Sequence, residues 1–246
     1  MHTELRKLRE RPRRLLAVFP HPDDESYGCA GALARAGAKP DTAAVVVCLT
    51  HGEAARMGPE RGLTPPQLAE LRKARMREVA EILRLDALKM PGLPDAGLAR
   101  MALDALAAPI LEILRAYRPQ VVIGHDPRGV NAHPDHIATH WALRHALLQE
   151  PVRRFAMLVY PAELCEAIKP RLLFATPEEE FDAVLTLSEA EIEAKEACLR
   201  IHEALVTLRE DGDAALLHRP PLERYDFLDE DETPPLGDLF EGMLEP

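Results

Sequence analysis

The chain reads as an α/β protein with a mostly parallel sheet and helices on both faces. Short apolar, strand-like runs alternate with helical patterns along the 246 residues. That order at this spacing implies parallel strands joined by crossover helices. Two clusters of histidine and carboxylate, Pro20-His21-Pro22-Asp23-Asp24-Glu25 and His133-Pro134-Asp135-His136, each follow an apolar run and precede a helical pattern. Right-handed crossovers would bring both to the carboxyl edge of the sheet, where such sheets bind ligands.

The elements follow in order. Leu15–Phe19 is an apolar strand run leading into a helix over about Gly28–Ala38. Strand Ala43–Thr50 precedes a loop rich in Gly and Pro (His51–Pro66) and a long amphipathic helix from about Pro66 to Leu85. A short strand, Leu88–Met90, runs into Pro91-Gly92-Leu93-Pro94-Asp95. A helix at Leu103–Tyr117 is followed by strand Val121–Gly124, and another helix begins at Pro134 and ends near Gln149. Pro134 suits the first turn of that helix, which makes His133 its cap. Strands Phe155–Tyr160 and Ala183–Leu187 come next, then a helix over Ser188–Leu208. The acidic tail from Leu222, with Asp229-Glu230-Asp231-Glu232, is expected to be an extended surface segment packing on a neighbouring subunit. The whole, 1–246, is expected to be one domain of Rossmann-like architecture.

Composition narrows the function. With 47% hydrophobic residues the chain can bury a large core. Its 41 acidic residues against 30 Lys and Arg give a formal charge of −11, which argues against nucleic-acid binding. No apolar run approaches the ~18–20 residues of a membrane span, and Leu15–Phe19 is too short for a signal-peptide core, so the cytoplasm is the expected compartment. Cys29, Cys48, Cys165 and Cys198 are widely spaced and read as buried free thiols.

Mixed His and Asp sets suit a divalent transition metal, zinc above all, since neutral imidazole and carboxylate both ligate it. Adjacent aspartates would repel an anion, so the first loop is built for a cation. Side chains of Asp23 and Asp24 diverge; one can ligate while the other faces a water. Three protein ligands plus water is the usual catalytic zinc pattern, and a nearby carboxylate can collect the water's proton. His133 and His136, three apart, share a helix face.

With Thr50-x-Gly52-Glu53, Asp126-Pro127 and His140 added, these motifs resemble the LmbE-like/PIG-L N-acetylglucosaminyl deacetylases, nearest to the mycothiol and bacillithiol pathway enzymes, over roughly residues 14–148. The resemblance implies one zinc per chain, with other divalent metals such as Fe²⁺ as alternatives, held by His21, Asp24 and His136. It implies Asp23 as general base, His133 as oxyanion stabiliser and acid, and Asp135 orienting His133 so as to raise its pKa. It further implies Arg72 as a substrate-holding arginine, Asp95 as a sugar contact, and Asn131 at the place of a family tyrosine. The expected substrate is a small N-acetyl sugar conjugate, and the expected assembly a homo-oligomer. A phosphoesterase-like metal hydrolase and a non-catalytic binding member of the fold are the competing readings.

Overall fold

The computed structural model describes residues 2–167, 173–202 and 222–243. Its α-helices and strands, in chain order, are α1 (His2–Lys7), β1 (Arg13–Phe19), α2 (Asp24–Gly28), α3 (Ala30–Ala38), β2 (Thr42–Cys48), α4 (Met57–Glu60), α5 (Pro65–Ile82) and β3 (Ala87–Lys89). Then come α6 (Leu103–Tyr117), β4 (Val121–His125), α7 (Gly129–Ala132), α8 (Pro134–Gln149), β5 (Arg154–Leu158), α9 (Ala162–Ala167), β6 (Ala183–Thr186), α10 (Glu189–Ile201) and β7 (Leu222–Phe227).

The strands form a seven-stranded sheet in the order β3-β2-β1-β4-β5-β7-β6. β1 to β5 are parallel, while β7 runs antiparallel to both β5 and β6. Being buried on both faces, the central strands read as continuous apolar runs rather than alternating ones. Leu15, Ala17 and Phe19 of β1 face one core with α3 and α5; Leu16 and Val18 face the other with α6 and α8. Chain order reverses between β1 and β4, so the crevice at their carboxyl ends is the place where an open sheet takes a ligand.

The expected mostly parallel α/β architecture is therefore observed, with two differences. The helix after β1 starts at Asp24 and is broken at Cys29, whose φ of −142° is not helical. The segment from Leu222 is not an extended surface arm: Leu222–Phe227 is a strand inside the sheet, with Glu223, Tyr225 and Phe227 buried. Beyond it the acidic stretch folds back on its own chain, where Glu230 pairs with the buried Arg154 at 2.7 Å and Leu236 N–H donates to Asp182 O. The expected helix over Ser188–Leu208 is seen to Ile201; residues 203–208 lie outside the described ones. No helix among the described residues is long and apolar enough to cross a membrane.

Candidate metal centre

Both His/Asp segments do meet at this crevice. β1 delivers the first loop, anchored where Thr50 donates to Pro20 O through its N–H (3.0 Å) and hydroxyl (2.8 Å). Asp24 opens α2, and its Oδ2 accepts the His21 N–H at 2.9 Å, so the pair is locked by the backbone of the turn. β4 delivers the second loop. There Asp126 Oδ1 accepts Val130 N–H at 2.6 Å, and Gly129 O faces His136 Nδ1 at 3.1 Å. That carbonyl takes the Nδ1 proton and leaves His136 Nε2 bare toward the crevice, the usual way a ligating histidine is oriented. A Cβ at Gly129, whose φ is +65°, would meet His136 Cβ at 2.8 Å, so glycine permits this close approach.

His21 Nδ1 lies 3.2 Å from His136 Nε2 and 3.5 Å from Asp24 Oδ2, and His136 Nε2 lies 3.3 Å from Asp24 Oδ1. Ligands around a tetrahedral zinc with bonds of about 2.0–2.1 Å stand roughly 3.3–3.4 Å apart, so these separations fit a shared ion. The surroundings call for positive charge as well. Burial alone would lower the His21 pKa, but Asp135, Asp24 and Asp95 outweigh it and push it up to about 12. Asp24 is driven well below the carboxylate range: burial opposes this, and His136 and His21 more than offset it.

Overlapping groups share the crevice: His21/His133/His136, Asp24/His125/His136 and His21/Asp95/Asp135. Their geometry argues against these as ligand sets. The His125 ring stacks on His136 at 4.0 Å and 5°, so their lone pairs run side by side and do not converge. His133 Nδ1 already accepts the Asp135 N–H at 3.2 Å. Asp95 Oδ1 and Asp135 Oδ2 face the other nitrogen of His21, Nε2, at 3.3 and 3.6 Å, the place of carboxylates that orient a ligating imidazole.

Asp135 therefore differs from expectation. Its Oδ2 stands 3.6 Å from His21 Nε2 and its Oδ1 accepts Ala99 N–H at 3.3 Å, while its main-chain N–H donates to His133 Nδ1. The His133 pKa accordingly lies below its ordinary value, lowered by burial and by His21 and His136, with Asp135 too weak to reverse it. Asp95 is likewise turned inward, accepting Ala54 N–H at 2.7 Å besides facing His21.

Asp23 has φ +130°, a strained value for a residue with a Cβ. Arg72, buried in α5 and not a solvated surface arginine, donates to Asp23 Oδ2 at 2.9 Å and to Pro22 O. It reaches there past Gly52 (φ +69°), where a Cβ would lie 2.3 Å from its Nη1. Burial raises the Asp23 pKa, with Arg72 opposing. Asp23, Tyr27, Arg72, Asp95, Asn131 and His133 line, with His21, Asp24 and His136, a cleft of about 340 Å³. Asn131 spends its carbonyl on His133 N–H at 3.0 Å and keeps its amide group for the cleft.

Sequence reasoning missed Tyr27. Tyr27 follows Asp24 by three positions, so helical spacing could have placed it beside the site.

Residues 16–147 match the sequence pattern of the PIG-L family, described as GlcNAc-PI de-N-acetylase. The chain belongs to this family. It is 31% identical to a 1D-myo-inositol 2-acetamido-2-deoxy-alpha-D-glucopyranoside deacetylase of Saccharopolyspora erythraea, over 93% of this chain and 100% of that protein. It is 36% identical to a probable N-acetyl-alpha-D-glucosaminyl L-malate deacetylase of Bacillus anthracis, over 56% of this chain and 61% of that one. The matched share of such relatives' own lengths runs from 46% to 100%. Its fold is similar to that of a deacetylase of the teicoplanin biosynthetic pathway, at a TM-score of 0.67 and 19% identity, covering 87% of this chain and 98% of that one.

Proposed function

We propose that this PIG-L family member is a zinc-dependent N-deacetylase that releases acetate from a small N-acetylglucosamine conjugate. The observation that carries the reading is the donor set: His21 Nδ1, His136 Nε2 and the Asp24 carboxylate, each 3.2–3.5 Å from the next. The inositol and malate conjugates named for the relatives fix the expected sugar and leave the aglycone open.

Held by His21, Asp24 and His136, the zinc would supply Lewis acidity toward a water and the acetamide carbonyl. Asp23, pinned by Arg72, takes the proton that water loses as it adds to the carbonyl carbon. With Nδ1 occupied by the Asp135 N–H, neutral His133 carries its proton on Nε2. That N–H is positioned to stabilise the developing oxyanion, and the proton collected by Asp23 passes to the amine as the C–N bond breaks. The Tyr27 phenol stays protonated, because burial and then Asp23 and Asp24 push its pKa up. It and the Asn131 amide are donors for the oxyanion or the sugar, and Arg72 keeps a face toward the cleft.

The test is a deacetylation assay over N-acetylglucosamine conjugates of inositol, malate, sugar and glycopeptide, with added zinc, reading free amine and acetate. One zinc per chain and turnover of at least one conjugate are expected, and His136→Ala should lose both. Full zinc occupancy with no acetate from any conjugate would sink the reading.

A further inference from the structure

Glu25 closes the first motif, yet it does not line the cleft. It is fully buried. Its Oε2 turns back and accepts the N–H of Asp23 at 3.2 Å, and its Oε1 takes the Ser26 hydroxyl at 2.6 Å. The same Oε1 meets His202 Nε2 at 3.1 Å, with both side chains 1% exposed, across 177 residues of chain. His202 caps the C-terminus of α10, which packs against α2.

This pair stands behind the most strained residue of the site. An Asp at φ +130° is strained and persists only where its surroundings over-determine it. Each polar group of Asp23 is indeed held. The carbonyl accepts Ser26 and Tyr27 N–H, the carboxylate accepts Arg72, and among the described residues the N–H donates to Glu25. A carboxylate buried this deeply needs its oxygens hydrogen-bonded, and His202 Nε2 is placed to serve Oε1.

We infer that Glu25 and His202 form a buried positioning pair that holds the Asp23 backbone in its strained conformation and so aims the Asp23 carboxylate at the reacting water. The inference rests on the base role given to Asp23 above. Neither residue touches substrate. Both act through Asp23, whose misplacement by about 1 Å would cost roughly 10²-fold in rate.

The experiment uses the zinc-loaded full chain with Glu25→Gln, His202→Gln and the double variant. The substrate is whichever conjugate the wild type turns over. Expected are a fall in kcat of about 10- to 100-fold and KM and zinc content within about twofold of wild type. The double variant should be no worse than the poorer single one, since the pair acts as a unit. A second readout is the Asp23 amide resonance, which should move in both single variants as the N–H···Oε2 bond weakens. Unchanged kcat in both variants overturns the inference. So does zinc lost in step with turnover, which would make Glu25 a support for Asp24. If Glu25→Gln does not fold, His202→Gln decides alone by the same criteria. If the wild type deacetylates nothing, the functional reading fails separately. The amide then decides: a shift in the variants keeps the positioning pair, and an unmoved resonance overturns it.

Discussion

Strands β1 and β4 end in loops whose buried charges look into a cleft, whereas at the antiparallel edge, β6 and β7, buried charge is spent on protein partners. At the edge Glu223 is saturated: Oε1 accepts Gly31 N–H (2.9 Å) and Lys195 Nζ (2.9 Å), and Oε2 accepts Ala32 N–H (2.8 Å) and the Tyr225 hydroxyl (3.1 Å). Such a carboxylate neutralises a helix N-terminus and ties α3 to α10 and β7. At the crevice, by contrast, His21 Nδ1 and His136 Nε2 face one another at 3.2 Å with their other nitrogens engaged. Two such atoms can share at most one proton. Burial of charge is common to both regions, and what separates a structural network from a site is whether the lone pairs are spent.

That contrast breaks if either region behaves like the other. The largest effect is expected at Asp23: Asp23→Asn should lower kcat by about 10²–10⁴-fold, with zinc content and thermal stability near wild type. Near-normal turnover would remove the base role. At the edge the pattern should invert. Lys195→Met strands the buried Glu223 and should cost roughly 3–5 kcal/mol of stability, read as a lower urea midpoint, with kcat per bound zinc unchanged. Lost turnover at unchanged stability would make the edge part of the site.

The same contrast explains what the sequence makes legible. The helices expected at Leu103–Tyr117 and from Pro134 to Gln149 appear with those bounds, because apolar periodicity and a proline at the first turn are local signals. The His and Asp clusters were equally plain, since ligand chemistry is written in residue type. β7 was hidden because Leu222-Glu223-Arg224-Tyr225-Asp226-Phe227 carries Glu223 on its inward face, and a charge reads as solvent-facing until its partner, Lys195, is known. The side-chain direction of Asp135 was hidden for a related reason. The resemblance implied that Asp135 orients His133, but the first turn of α8 turns the carboxylate toward His21, which comes from another strand. Glu25 likewise answers to His202, a distant residue that no spacing reveals.

The smallest expected effect sharpens the edge half of the comparison. Asp226 of β7 is half-buried, and its pKa is raised to about 7 by burial and then by Asp182, with Glu180 and Asp126 adding to it. Asp182 is held as an acceptor by Phe227 N–H (2.6 Å) and Glu232 N–H (2.7 Å), so Asp226 is the member of the pair that keeps the proton. In the unfolded chain Asp226 titrates near its ordinary value of about 3.9. The folded state therefore binds the extra proton between these values, and this contribution to stability is full below about pH 3.9 and lost as the pH rises through about 7. Asn cannot ionise yet can still donate to Asp182. Asp226→Asn should thus gain stability over wild type at pH 8, with the gain shrinking toward pH 5. Screening at a half-exposed group limits it to about 1 kcal/mol, or roughly 2–4 °C in Tm. Thermal melts across pH 5–8 would check it. A gain independent of pH would mean that Asp226 and Asp182 do not share a proton, and that this edge, unlike Glu223, carries a charge it has left unpaired.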